Sequence, residues 1–168
     1  MKKQKITKGF KRDPVCEMIV PEMEFPVEYR GMHFAFCSKQ CRERFLEMPH
    51  LYIGYVGQKA PKQEGIEVIK NRKLVLSHPL DLDHEQKITT AVDKMMGMKK
   101  IHIKGRLIHV KYDLLQATLK QIEKVIENEG AMFSDRWVDR VKRNVVHFFE
   151  ANECSGMSVG SGLGKSCH

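Results

Sequence analysis

Apolar and polar positions follow strand-like and helix-like periods in two successive parts of the chain. In the first part, β-prone runs at 25–29 and 32–36 flank a turn at Gly31, which predicts a β-hairpin. Ser38 then precedes an amphipathic stretch, which predicts a helix over 39–47 with Ser38 as its N-cap. A short hairpin followed by a short helix is therefore expected here.

The second part alternates the two periods more regularly. We predict the order β-α-β-β-α, with Asp83 and Asp113 as helix N-caps, over residues 73–77, 84–96, 100–104, 107–112 and 114–129. This order indicates a small α+β sandwich with its helices on one face of a sheet. A closing strand after Gly130 is hard to find in the pattern.

A further amphipathic helix is predicted over 135–150. Its apolar stripe holds Val138, Val141, Val145, Phe148 and Phe149. Two interpretations are open: the stripe packs on the sandwich, which we favour, or it is offered to a partner. Residues 152–168 are rich in Gly and Ser and are expected to form a flexible tail.

These patterns divide the chain into five parts. We expect a basic disordered arm, a cysteine-containing domain, a linker, an α+β domain with its C-terminal helix, and the tail, over residues 1–12, 13–54, 55–66, 67–151 and 152–168. The 168 residues are 42% hydrophobic, so at least one core can form.

The net charge of +8 is concentrated at one end of the chain. Residues 1–12 hold six basic residues and no acid, so the rest of the chain is nearly neutral. We therefore regard nucleic acid as an unlikely partner, although such an arm is compatible with one. The chain has neither an apolar run long enough for a membrane span nor the apolar core of a secretory signal, so a cytoplasmic location is expected.

Three of the five cysteines lie close together in the predicted cysteine-containing domain. Twenty residues separate Cys16 from Cys37, and three separate Cys37 from Cys41. Thiols four apart at a helix start share one face, and a hairpin can fold Cys16 back onto them. Three converging thiolates suit Zn(II) or Cu(I). A closed zinc site needs a fourth ligand, for which Glu17, Met18 and His33 are candidates.

This constellation resembles a YHS domain, one of the TRASH-type modules linked to heavy-metal trafficking, resistance and sensing. The resemblance rests on Asp13-Pro14-Val15-Cys16, on Phe34-Ala35-Phe36-Cys37-Ser38 and on Cys41 with the aromatic residues around it. It implies a small treble-clef-like or TRASH-like fold and metal binding by the three cysteines. The family's usual glycine after the first cysteine is Glu17 here, which adds a carboxylate beside the site.

Residues 72–130 are similar in layout to the heavy-metal-associated (HMA) domain. The resemblance implies a ferredoxin-like βαββα(β) sandwich, here followed by an extra helix. The family's Cys-x-x-Cys loop corresponds to residues 77–84, which contain no cysteine. His78 and His84, with Asp81 or Asp83, are possible replacements; we favour a domain that has lost its metal site and serves for docking.

The last part of the chain offers further candidate ligands. Cys154, Cys167 and His168 are expected either to act as a mobile hook that completes a soft-metal site or to be part of an ordinary flexible end. No catalytic constellation is present in the sequence, so we expect a binding protein rather than an enzyme.

The function that follows is copper or zinc binding in trafficking, buffering or resistance, with a metal-transporting P-type ATPase as the partner that receives the metal. The alternatives are a metal-responsive regulator that binds nucleic acid and an accessory subunit of an oxygenase. The sequence leaves the oligomeric state open.

Overall fold

The computed structural model describes residues 9–160, which form two compact units divided between Ile66 and Glu67. Helices and small sheets are mixed in the chain, which confirms the α+β class. The treble-clef-like and ferredoxin-like assignments stay predictions. Most of the predicted basic arm, the end of the predicted tail, Cys167 and His168 lie outside the described residues.

The first unit consists of two hairpins and short helices. Its elements are β1 (Phe10–Arg12), β2 (Ile19–Pro21), β3 (Val27–Tyr29), β4 (Met32–Phe34), α1 (Lys39–Glu47), α2 (His50–Ile53) and a 3-10 turn at Lys62–Glu64. β1 pairs with β2 and β3 with β4, both antiparallel. The predicted hairpin and the helix capped by Ser38 are present as expected.

Two parts of this unit differ from the sequence-based expectation. β1 falls within the predicted disordered arm, and its three residues pair with β2. The basic residues of this stretch gave no indication of a strand. The predicted linker, 55–66, is folded, since Ala60 is fully buried and a 3-10 helix follows it. Its Gly and Pro residues form tight turns rather than a free connection.

An aromatic core fixes α1 against the second hairpin. Phe45 is fully buried, and its ring lies 4.8 Å from that of Phe34 and 5.1 Å from that of Phe36, measured between ring centroids. Tyr29 meets Phe45 edge-to-face at 5.9 Å. Because Phe36 immediately precedes Cys37 and Phe45 follows Cys41 by one turn, this core sets the positions of both cysteines.

The second unit is a three-stranded antiparallel sheet with helices. Its elements are β5 (Ile69–Val75), α3 (Leu82–Asp93), β6 (Met98–Lys104), β7 (Leu107–Asp113), α4 (Leu119–Asn128) and α5 (Trp137–Gly160), most of which belongs to this unit. The strand order is β5-β7-β6. In place of a closing strand, which the sequence pattern did not show after Gly130, the structure has one bridge between Leu76 and Phe133.

Two helix starts differ from the predicted N-caps. Asp81, not Asp83, caps α3 by accepting a hydrogen bond from the His84 backbone N–H. Thr118, not Asp113, caps α4 in a capping box with Gln121. The buried Asp113 instead holds the turn that follows β7.

The C-terminal helix is longer than expected and packs with the opposite face. It continues to Gly160, so residues 152–160 are helical and do not form part of a flexible tail. Glu150 and Cys154 are buried, one turn apart, and extend the packed face beyond the predicted end. Glycine and serine are weak helix formers, so the composition of 152–160 did not predict that the helix continues.

The apolar stripe of α5 faces outward. Val138 is half-buried, but Val141, Val145, Phe148 and Phe149 are 44–64% exposed, while Glu150 on the other side is buried. The favoured expectation, packing of the stripe on the sandwich, is therefore wrong. The inward face is held by polar groups instead, as in the Tyr112 hydroxyl that donates to Glu150.

No helix within residues 9–160 combines the length and the apolar character that crossing a membrane requires.

Candidate metal centre

Three local structures carry the three cysteines. Cys16 lies in a turn between β1 and β2, Cys37 directly follows the second hairpin, and Cys41 lies in the first turn of α1. The Ser38 hydroxyl accepts a hydrogen bond from the Cys41 backbone N–H, which fixes the start of the helix. The predicted convergence of Cys16 on the helical pair is present in the structure.

The sulfur atoms are spaced as for a shared ion. The Sγ atoms of Cys16 and Cys37 are 3.4 Å apart, and those of Cys37 and Cys41 are 3.6 Å apart. Two thiolates on one tetrahedral zinc ion are roughly 3.8 Å apart, given Zn–S bonds of about 2.3 Å. Only a small adjustment is needed for the three sulfurs to bind one ion.

Asp13 is the residue that the sequence analysis missed at this site. One of its carboxylate oxygens and the three sulfurs all lie within 4.8 Å of one another. Its side chain is fully buried; Oδ1 accepts from the Val15 N–H at 2.8 Å and Oδ2 from the Cys37 N–H at 2.8 Å. Because its oxygens already hold backbone donors, Asp13 positions the cysteines. The Asp-Pro pair before Cys16 was the available signal, as a typical turn start.

Electrostatics divide the three thiols into unlike states. A hydrogen bond from the Cys41 thiol lowers the pKa of Cys16, against the opposing effect of burial. Burial raises the pKa of Cys37 to about 12. The hydrogen bond to Cys16, together with burial, raises the pKa of Cys41 as well. A metal ion that binds all three sulfurs must therefore displace protons from Cys37 and Cys41.

The two residues after Cys16 affect the site through their backbone rather than as metal ligands. Glu17 has a φ of 67°, in the left-handed region where glycine is favoured. This backbone conformation is consistent with the glycine that is usual here in the YHS domains that the segment resembles. A backbone hydrogen bond from Met18 also lowers the pKa of Cys16. The Met18 side chain is 49% exposed. Neither the Glu17 carboxylate nor the Met18 thioether is held at the sulfur cluster by a contact seen here.

The metal-ligating group that contains Cys16 includes none of the other candidate histidines and cysteines that the structure describes. His33 is exposed on β4 opposite Glu28. Cys154 is buried in α5 of the second unit. His84 pairs with Asp81 through a 2.7 Å contact at the start of α3. Among the residues that the structure describes, the loop at 77–84 joins no group of three or more metal-ligating side chains.

Comparison with known families bears on the first unit alone. No curated protein and no solved structure matches the chain. The HMA-like resemblance of the second unit is supported by no family match. The model of the YHS domain family matches residues 12–56, the segment that contains Asp13 and all three clustered cysteines.

Proposed function

We propose that this protein binds one Cu(I) or Zn(II) ion through the thiolates of Cys16, Cys37 and Cys41. The observation that carries the proposal is the convergence of three sulfurs and the Asp13 carboxylate within 4.8 Å, in the segment that matches the YHS domain family. Thiolates are the protein ligands that both ions prefer.

The backbone hydrogen bonds that Asp13 already accepts favour Cu(I) over Zn(II), because they make its oxygens less available as a fourth ligand. Three thiolates satisfy a three-coordinate Cu(I) ion, whereas zinc sites are almost always four-coordinate. A fourth position on zinc would have to come from water, from a rearranged Asp13 or from a thiol of another molecule. The preference is testable because the affinities of the two ions for the same three thiolates can be compared directly.

We propose that the ion is cargo in trafficking, buffering or resistance. Cys16 and Cys37 are half-buried and Cys41 is buried, so an incoming thiol can reach the first two sulfurs and exchange with them stepwise. We propose that the protein is cytoplasmic and that a metal-exporting P-type ATPase is the partner that receives the ion. Nothing in this role requires catalysis, and we propose a binding protein rather than an enzyme.

Anaerobic titration of the full chain with Cu(I) and with Zn(II) tests the site. We expect 1:1 binding for the wild type and at least a 100-fold loss of affinity for Cys37→Ser, since a serine hydroxyl is a poor ligand for either ion. Cys154→Ser is the matched control, because it removes a cysteine outside the cluster and leaves all three proposed ligands in place.

Equal affinity of wild type and Cys37→Ser, or a loss as large in Cys154→Ser, would contradict the proposed ligands. Removal of residues 161–168 tests the predicted hook at Cys167 and His168 without cutting α5. Unchanged affinity in that variant would exclude a contribution from the hook.

A further inference from the structure

One face of the sheet in the second unit is open to solvent and strongly basic. His102 of β6 lies opposite His109 of the central strand β7, and Lys100 lies opposite Lys111. Lys73 of β5 lies opposite His109 on the other side. All are exposed. We call this set the basic sheet face: Lys73, Lys100, His102, Lys104, His109 and Lys111.

Strand alternation separates this face from the core. Leu74, Ile103 and Ile108 point to the opposite side of the same strands and are buried. On the three strands, the one acid that shares the basic side is Asp113, at the end of β7. Its buried carboxylate accepts the backbone N–H groups of Val68 and Leu115. No exposed acid on these strands therefore lies among the lysines.

This arrangement costs stability, and a structural role accounts for only part of it. Like charges directly opposite on neighbouring strands repel each other. Lysines on edge strands prevent aggregation, which accounts for those of β5 and β6 but not for Lys111 and His109 on the central strand. Within residues 9–160, the four lysines of the face make no ion pair with an acid of the chain.

We propose that the basic sheet face binds single-stranded nucleic acid. The lysines on both sides of the histidine pair are placed to contact successive phosphates. The adjacent imidazoles of His102 and His109 offer ring surfaces on which unpaired bases stack. Base stacking needs an open, flat surface, and a shallow recess lined by Asn71, His102 and His109 provides one.

Other anionic partners fit the face less well. A lipid surface is held by large apolar side chains inserted beside basic ones, and the centre of this face has none. An acidic protein is held chiefly by buried aromatic or aliphatic anchors, which the face also lacks. The site is distinct from the basic arm and from α5, and it does not depend on metal binding by the first unit.

The test is fluorescence anisotropy of a labelled 15-nucleotide single strand with the full chain at several salt concentrations. Lys100→Gln/Lys111→Gln removes two phosphate contacts, which lowers the slope of log K against log salt by about 1.4 and weakens binding about 25-fold near ~0.1 M salt. Lys87→Gln/Lys120→Gln is the matched control, because it removes the same charge from exposed positions of α3 and α4.

A second variant, His102→Ala, tests stacking: we expect weaker binding with an unchanged salt slope, and recovery in His102→Phe. The proposal is overturned if the single strand does not bind at low salt or if the control pair loses as much affinity as the Lys100/Lys111 pair. It is also overturned if poly-glutamate of equal charge, or vesicles containing phosphatidylserine, displace the oligonucleotide as well as unlabelled single strand does.

Discussion

Each unit buries one aspartate that links a turn to a distant part of the chain, but only one of these aspartates lies beside sulfur. Asp13 and Asp113 are both fully buried. Asp13 accepts from Val15 and from Cys37, 24 residues away, and Asp113 accepts from Leu115 and from Val68, 45 residues away. The same device organises both units, so a buried carboxylate alone does not make a metal centre. The three cysteines make the difference.

Glu150, another buried acid of the second unit, is also bound within that unit. Glu150 accepts from the Tyr112 hydroxyl and from the Leu119 N–H at 3.0 Å, and it lies 3.3 Å from the Arg72 guanidinium. Burial raises the pKa of Tyr112, and the nearby Glu150 charge adds to the shift. Asp113 and Glu150 are therefore bound by donors of their own unit, whereas the sulfurs of the first unit remain available to an ion.

Among the variants that distinguish the two units, Glu150→Ala is expected to have the largest effect on stability. Removing one partner of a buried charge pair costs about 3–5 kcal/mol, because Arg72 and Tyr112 lose their acceptor. Hydrogen exchange should accelerate for β7 amides, while α1 amides and metal affinity stay as in the wild type.

Phe149→Ala is the control for Glu150→Ala. It alters the neighbouring position on the same helix, where the side chain is 61% exposed, and should change stability by about 0.5 kcal/mol or less. If Phe149→Ala were the more damaging substitution, the outward orientation of the apolar stripe would be wrong.

Phe149 and Glu150 also show what the sequence could and could not predict about α5. Its 3.6-residue period predicted a helix, but the larger apolar surface was assigned to the core because hydrophobic faces usually pack inward. The inward face is fixed by hydrogen bonds from Tyr112 and Leu119, which are distant in sequence from Glu150. Periodicity carries no information on such partners.

The metal centre in the first unit likewise has a part that the sequence predicted and a part that it did not. Cys16, Cys37 and Cys41 were identifiable from their residue type and spacing, and Ser38 from its place before an amphipathic run. Asp13 was not, because its role consists of bonds to backbone N–H groups, including that of Cys37. Any residue type supplies an N–H, so the sequence around Cys37 gives no sign of this bond.

The next effect in size comes from exchanging each buried aspartate for asparagine. Asp13→Asn and Asp113→Asn should each destabilise their own unit by about 2–3 kcal/mol, since an amide leaves a buried donor facing a donor. Only Asp13→Asn should weaken metal binding, by about tenfold or more, because the anchor of Cys37 is lost. Metal titration combined with hydrogen exchange of α1 and β7 amides separates the two results.

An equal loss of metal affinity in Asp13→Asn and Asp113→Asn would contradict the different roles of the two aspartates, because it would make the second unit part of the metal centre. Unchanged affinity in both variants would mean that the carboxylate of Asp13 does not position the sulfurs.

The smallest effect concerns Glu17, next to the first sulfur. Its positive φ costs a residue with a side chain about 1 kcal/mol relative to glycine. Glu17→Gly should therefore raise the unfolding free energy of the first unit by up to ~1 kcal/mol, less the extra entropy that glycine gives the unfolded chain. Glu17→Ala keeps the strain and should not stabilise. If both variants stabilise equally, removal of the negative charge beside the sulfurs, rather than relief of the backbone, is the cause. Chemical denaturation monitored by exchange of α1 amides distinguishes the two causes.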